Sequence, residues 1–471
     1  MNTVLIEPTD VLFFRDAIPM SAGQGKGAGA RMPFPSTLHE AFRTSLLLAS
    51  GATPQRKEIL GRPKKAVRSG NWHDRQWREE DQCYVASKAF ASLRTIGPFP
   101  FLAKPCTWKE ARDGQPTGVE VTYAGLLLPV PLDVALSRDE SQTPDKPPSR
   151  LARLKLWRNP VVQLPAATKP EDFRPLCLPV AVKPPDKHSQ LYGWWTTAQF
   201  RAYLELQADG KAREDNRAHF FRPLPQDDLW QAEHRVGVAI DPASFAAAPS
   251  QLYSGSYLRA HAHARFAVQA GLASTRVNGY EEQERRQLDG LDWLLLGGEQ
   301  RLARVHRERF SDPFSELPAT PQPTRDGPCL LKWILVTPAI FAHGTLPGWC
   351  ADTKKDRPDG PRPIGQVCLD VPGRAQLVSW CLGKPRTVSG WDVVEGRAKP
   401  TMLAVPEGGV YYFLCEDRPT AAALAAKLHW QPRSDFYGEK GCGYGLVSFD
   451  VNVGMHASSI QVEALAKEVF Q

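Results

Sequence analysis

Val4, Leu5 and Ile6 mark a strand over 3–8, and the run Val11, Leu12, Phe13, Phe14 follows ahead of the charged pair Arg15–Asp16. A glycine-rich stretch, GQGKGAGAR at 23–31, comes next, and Pro33 and Pro35 hold the chain extended beyond it. A helix is then predicted. Thr37 and Glu40 have capping-box spacing, Leu38, Ala41, Phe42, Leu46 and Ala49 form one apolar stripe, and Gly51 closes it. The chain therefore opens strand, basic glycine loop, helix.

From about 54 to 230 sustained periods are few, and the segment reads as a large, loop-rich insertion. Order returns with a strand at HRVGVAID, 234–241. In YLRAHAHARFAVQA, 257–270, apolar and polar residues alternate, which predicts one half-buried strand with Arg259, His261, His263 and Arg265 together on its outer face. A charged helix is expected near 280–290, and an extended segment at 294–305 is broken by Gly297 and Gly298. The Pro-rich stretch 315–328 leads to a second block. It holds an apolar strand at 330–341, VYYFL at 410–414, an alanine-rich helix near 420–428, the loop GEKGCGYG at 438–445 and a closing strand at 446–453. Each block is compatible with a β-α-β-β-α-β plan, so the fold class is α+β: two ferredoxin-like, RRM-like domains, 1–325 (with the insertion) and 326–471.

Composition narrows this. The 42 prolines and 36 glycines favour short elements and many loops over a helical bundle. The longest apolar runs, such as 126–132, fall far short of the ~20 residues a bilayer demands, so no membrane partner is expected. The start, MNTVLIEPTD, has no basic segment ahead of an apolar one, and the nine cysteines contain no C-x-x-C pair; reduced core thiols and a cytoplasmic protein are expected. Net charge is +7. Most of that excess lies at 56–78, where Trp72 and Trp77 are interleaved with basic residues; the mixture suits single-stranded nucleic acid, and equally a solvated loop with two tucked tryptophans.

The first glycine loop fails the nucleotide fingerprints it superficially matches. A P-loop would need a glycine where Met20 stands and a hydroxyl residue where Gly27 stands. Gly25, Gly27 and Ala30 do fit G-x-G-x-x-A, but two prolines delay the helix that a dinucleotide site requires. What remains is a loop whose amides can approach a phosphate, with Lys26 and Arg31 adding charge, or else a plain surface turn. In the second loop Gly438, Gly441, Gly443 and Gly445 accompany Lys440 and Tyr444; such a loop can wrap a sugar-phosphate chain while the aromatic stacks on a base. Catalytic constellations are sparse. His73–Asp74 and the pair His261, His263 lack the further ligands a metal needs, so neither metal nor cofactor is expected. Metal-free RNA cleavage needs only a base near a 2′-hydroxyl; His39 is the best single candidate, set against the plainer reading of an exposed helix residue.

These segments resemble a known family. EPTDVLFFRD (7–16), PFPSTLHEAFR (33–43), HRVGVAID (234–241), LY (252–253), GGEQR (297–301), TPAIF (337–341), VPEGGVYYF (405–413) and GYG (443–445) stand in the order seen in the third subunit of the type III-B CRISPR effector, the Cmr complex, a RAMP-superfamily protein. The resemblance implies a non-catalytic, RNA-binding subunit in antiviral defense. It would bind the 5′ tag of the crRNA, bridge the large polymerase-palm subunit to the RAMP backbone subunits, and meet target RNA only indirectly. Carried over to matching positions, Arg15, Gly25, Lys26, Gly27 and Arg31, with Gly438, Gly441, Gly443 and Gly445, become tag-binding candidates, and Arg301 leans to structure. A bound tag also calls for a sheet face on which splayed bases lie. The rival readings are a metal-independent RAMP endoribonuclease processing precursor RNA and a protein-bridging scaffold.

Overall fold

The computed structural model describes the chain apart from 15–25, 28–31, 51–76, 79–82, 85–89, 91, 113–114, 139–149, 160, 163–168, 181–186, 206–219, 274–280, 308–311, 325, 352–362, 393–396, 450–461 and 471. In chain order the elements that matter here begin with β1 (Asn2–Pro8), β2 (Lys26–Gly27), α1 (Pro35–Ala49), β3 (Leu93–Arg112), β4 (Gln115–Pro129), β5 (Trp194–Thr196) and α2 (Thr197–Glu205). There follow β6 (Trp230–Ile240), β7 (Ala247–Ala260), β8 (Ala264–Leu272), α3 (Glu281–Asp289), β9 (Trp293–Leu295) and β10 (Leu302–His306). The chain closes with β11 (Cys329–Leu335), β12 (Ala375–Cys381), β13 (Val410–Cys415), α4 (Arg418–Leu428), β14 (Gly445–Phe449) and α5 (Val462–Phe470). The result is a mixed α/β protein dominated by antiparallel sheets, with few helices. No helix among the described residues is long and apolar enough to cross a membrane.

A seven-stranded sheet runs β5–β4–β3–β8–β1–β10–β9. β1 is central because Val4, Leu5 and Ile6 are apolar in succession and bury on both faces: Val4 pairs with Val268 and Ile6 with Phe266 and Val305. Leu38, Phe42 and Leu46 of α1 share one helix face against this sheet, each fully buried. The helix starts two residues ahead of Thr37: Phe34 is the N-cap without a side-chain bond, and Pro35, with its preset φ, takes the first turn. The capping-box reading is corrected accordingly; Gly51 lies outside the described residues.

A four-stranded antiparallel sheet follows, β12–β13–β11–β14. α4, capped by Asp417 through the Thr420 amide, covers one face through Ala421, Leu424, Ala425 and Leu428 against Leu331, Trp333 and Phe413. The opposite face, with Leu330, Ile334, Val378, Val410 and Leu414, meets Leu126, Leu128 and Val130 at the end of β4, Phe200 and Tyr203 of α2, Leu5, Ile96 and Phe99 of the first sheet, and Leu465 of α5. The two sheets therefore share one core. α5 helps to close it through Leu465 and Ala466.

Two expectations are corrected here. The region 54–230 is not a loop-rich insertion throughout, because β3 and β4 are inner strands of the first sheet and β5 extends it. The stretch 257–270 is not one strand. β7 ends at Ala260 and β8 starts at Ala264, so Arg259, held by Glu233, and Arg265, held by Glu7, lie on different strands, while His261 meets the Asp227 carbonyl at 2.9 Å.

Candidate nucleic-acid interface

Of the first glycine loop, Lys26 and Gly27 are described: as β2 they run parallel to Ser254 and Gly255 of β7. Arg15, Gly25 and Arg31 lie outside the described residues. These two residues thus lie along the middle of the β6–β7 hairpin, level with Arg235 and Val236. Nearer its base, three of the sequence anchors meet around Tyr257. Its hydroxyl donates to Glu299 Oε1 at 2.7 Å, the Phe13 ring lies 4.9 Å away, and the guanidinium groups of Arg235 and Arg301 sit 5.1 and 5.6 Å from its ring. Asp10 joins Arg235, Arg259 and Arg301, and Glu233 joins Arg235 and Arg259. Hydrogen bonds from Arg259 and then Arg235 hold the Glu233 carboxyl well below its usual range, at about 2. These arginines are engaged by carboxylates, Arg301 by Glu299 and Asp10.

Farther out, the hairpin exposes Val236, Val238, Ile240, Phe245 and Leu252. The strand expected at HRVGVAID is present in β6, and of its two faces the one with Val236, Val238 and Ile240 is exposed while Arg235, Gly237 and Ala239 are half-buried.

The second glycine loop faces inward. Lys440, 2% exposed, pairs with Glu40 of α1 and lies 4.8 Å from the Tyr437 ring. Tyr444, also buried, packs edge-on to Trp430 at 5.7 Å, which in turn stacks on Phe99 at 6.0 Å. Gly441 has φ +95°, and a Cβ there would stand 2.8 Å from the Thr95 carbonyl oxygen, so the loop touches the start of β3 directly. The side chains of Lys440 and Tyr444 are turned into the protein, which corrects the picture of an aromatic presented to a base. Backbone approach is equally specific: Gly445 lies against the Trp333 indole.

His39 is fully buried, with Nδ1 3.2 Å from Thr95 Oγ1. The expectation of an exposed helix residue is corrected: the turn that carries Leu38 and Phe42 inward takes His39 with it. The sheet face sought for splayed bases is absent among the described strands of the second sheet, whose two faces are both core. His73–Asp74 lies outside the described residues, and the described ones hold no cluster of three metal-ligating side chains.

Glu439 makes a measurable consequence of this packing. Its Oε1 is buried without a hydrogen-bond partner among the described residues, and loss of water pushes the carboxyl up to about 7 against the pull of Lys440. A raised carboxyl stabilises the fold fully below its unfolded value near 4.5, and that contribution is lost as pH rises through about 7. Glu439→Gln is expected to match the wild type at pH 4.5 and to exceed it by about 2 kcal/mol at pH 8 in urea unfolding. Parallel pH profiles for the two proteins would refute the assignment.

A family model described as CRISPR-associated protein (Cas_Cmr3) matches residues 4–449. The chain belongs to the Cas_Cmr3 family. The resemblance read from the sequence anchors is borne out over nearly the whole Cas_Cmr3 chain. Among solved structures it is similar to a chain of the type III-B Cmr-beta complex bound to cognate target RNA and AMPPnP (14% identity, 87% of this chain and 86% of that one, TM-score 0.37). A second Cmr-beta complex with cognate target RNA gives 12% identity, the same coverage and TM-score 0.37. The Csm3–Csm4 subcomplex of the type III-A interference complex gives 10% identity, 89% and 94% coverage and TM-score 0.34. No curated protein matches.

Proposed function

We propose that this Cas_Cmr3 chain is the non-catalytic subunit of a cytoplasmic type III-B effector that holds the 5′ tag of the crRNA and bridges the large polymerase-palm subunit to the RAMP backbone. We assign it two ferredoxin-like units. In the first, α1 lies between β1 and β3 in sequence, α3 lies between β8 and β10, and the sheet order β10–β1–β8–β3 is that of a β-α-β-β-α-β unit. In the second, β14–β11–β13–β12 repeats the order, with α4 ahead of the last strand and no α-helix between β11 and β12 among the described residues.

The observation that carries the RNA reading is the seating of Lys26–Gly27 on β7: a sequence with four glycines, GQGKGAGAR, joined by the backbone of Lys26–Gly27 to a structured hairpin, brings amides and two cations that suit a phosphate chain. Burial of His39 supports holding RNA over cutting it, since a general base must reach the hydroxyl it deprotonates.

Lys26→Ala and Arg31→Ala are each expected to lower the magnitude of the log-affinity against log-salt slope for tag RNA by about 1. Slopes equal to wild type in both variants would favour the scaffold reading, in which the loop grips a neighbouring subunit.

A further inference from the structure

The second sheet is covered on both faces, and the first is not. On β1, β8 and β3 the face turned away from α1 carries Leu5, Ala267 and Phe99, which meet the second sheet in the shared core. β10 and β9 carry the same face beyond that contact. Ala303, Val305 and Leu294 of these strands point to the α1 side, so Leu302, Arg304 and Trp293 stand on the other, and all three are exposed. Trp293 lies directly opposite Arg304, and Arg304 directly opposite Glu7, which makes one row across three strands. The two oxygens of Glu7 are taken, Oε1 by Arg265 and Oε2 by His306 at 2.6 Å. Arg304 pairs with no carboxylate among the described residues and lies 5.9 Å from the centre of the Trp293 ring, which stays 46% exposed. Leu302, 48% exposed and diagonal to Trp293, widens the apolar floor.

An indole open to solvent beside an uncompensated guanidinium suits a nucleotide: every base has a face to stack, and each phosphate a charge to neutralise. We propose that this strip holds one unpaired nucleotide of single-stranded RNA, its base against Trp293 and its phosphate at Arg304. Size argues for a nucleotide over a protein. Two strands and three residues span about 10 by 10 Å, whereas a stable protein interface takes ~800 Å² per partner. β9, three residues long, is also too short an edge to take up an added strand. The flat face argues for RNA over a free nucleotide, because a small-molecule site encloses its ligand and a sheet face offers a single wall. RNA held elsewhere on the chain brings its next nucleotides to such a wall at high effective concentration. The inference deepens the RNA reading by adding a site outside both glycine loops, and it rests on that reading only for the class of ligand.

The test titrates the full-length chain with a short fluorescein-labelled oligouridylate carrying 4-thiouridine, reading anisotropy and ultraviolet crosslinking. Trp293→Ala should weaken binding about tenfold with the salt slope unaltered, since a stacking contact and no phosphate contact is lost. Arg304→Ala should lower the magnitude of the slope by about 1. Trp293→Tyr should recover most of the loss, because a ring is restored. Crosslinked peptides of the wild type should include 293–304. Both side chains are exposed, so the urea midpoints of the variants should match the wild type; should either move, the crosslink, which needs no variant, decides. Wild-type affinity and slope in both alanine variants, or crosslinks confined to other peptides, would overturn the strip. If the Lys26 and Arg31 variants keep their slope effect while the strip variants are silent, the tag reading stands and the strip fails. Strip effects with silent Lys26 and Arg31 variants sink the tag reading and leave the strip. No binding by the wild-type chain overturns both.

Discussion

Lys332→Met is expected to cost about 3–5 kcal/mol of unfolding free energy, and Asp133→Asn about as much. Lys332 stands in the middle of β11, 1% exposed, inside an otherwise apolar run. Its ammonium donates to Asp133 Oδ2 at 2.6 Å and to the Tyr203 hydroxyl at 2.8 Å. Tyr203 in turn donates to Asp133 Oδ1 at 2.6 Å, and Tyr412 to Oδ2 at 2.9 Å. The carboxylate is buried as deeply as the ammonium, so removing either partner strands a charge with no water. Removing both charges should not. Lys332→Met combined with Asp133→Asn keeps a carbonyl acceptor for one phenol, turns an amide N–H toward the oxygen of the other and leaves no ion, and it should lie within about 2 kcal/mol of wild type. Urea unfolding of the single and double variants at pH 7 measures the cycle; single losses below about 1 kcal/mol would mean the pair is hydrated. The network also joins β4's outgoing segment and α2 to the second sheet, so local exchange at β11 should report the same losses.

Gly443→Ala is the second large effect. Gly443 has φ +77°, and a Cβ there would fall 2.2 Å from the Ser434 amide nitrogen and 2.8 Å from its Cα, both backbone atoms that a rotamer change cannot relieve. The amide of Gly443 donates to the Pro338 carbonyl at 2.9 Å and its carbonyl accepts from Arg433 at 3.0 Å, so the turn cannot easily swing away. Positive-φ strain and overpacking together should cost about 2–5 kcal/mol. Gly438→Ala is the control: its nearest contact would be the Pro432 side chain at 3.2 Å, and a loss below about 1 kcal/mol is expected. Equal denaturation midpoints for the two variants would contradict the packing described for this loop.

How much of this was legible in the chain differs element by element. β1, β13, α4 and the α1 stripe from Leu38 to Leu46 match the sequence expectation because their signal is local: successive apolar residues, or apolar residues at helical spacing, choose an element before any partner is known, whereas the apolar run 330–341 is a strand only as far as Leu335. The start of α1 was misplaced because two local signals competed, and Pro35, already committed in φ, outranked the side chain of Thr37. β3 and β4 were overlooked because their outer halves run past the sheet among charged residues, which dilutes the apolar pattern carried by Leu126, Leu127 and Leu128.

The candidate site shows the same division. The glycines, Lys26 and Lys440 and the order of the anchors are properties of the chain alone, and they sufficed for the family. Which way the second loop faces, whether His39 reaches solvent, and whether a sheet face stays open depend on neighbours hundreds of residues distant. Local pattern determined β1 and β13, α4, the stripe of α1 and the glycine turn at 438–445, because those depend on residues within a few positions of one another. Only tertiary packing decided that one turn is spent inside the molecule and that both faces of the second sheet are covered, because burial is settled by what else must hide its apolar surface in the same place.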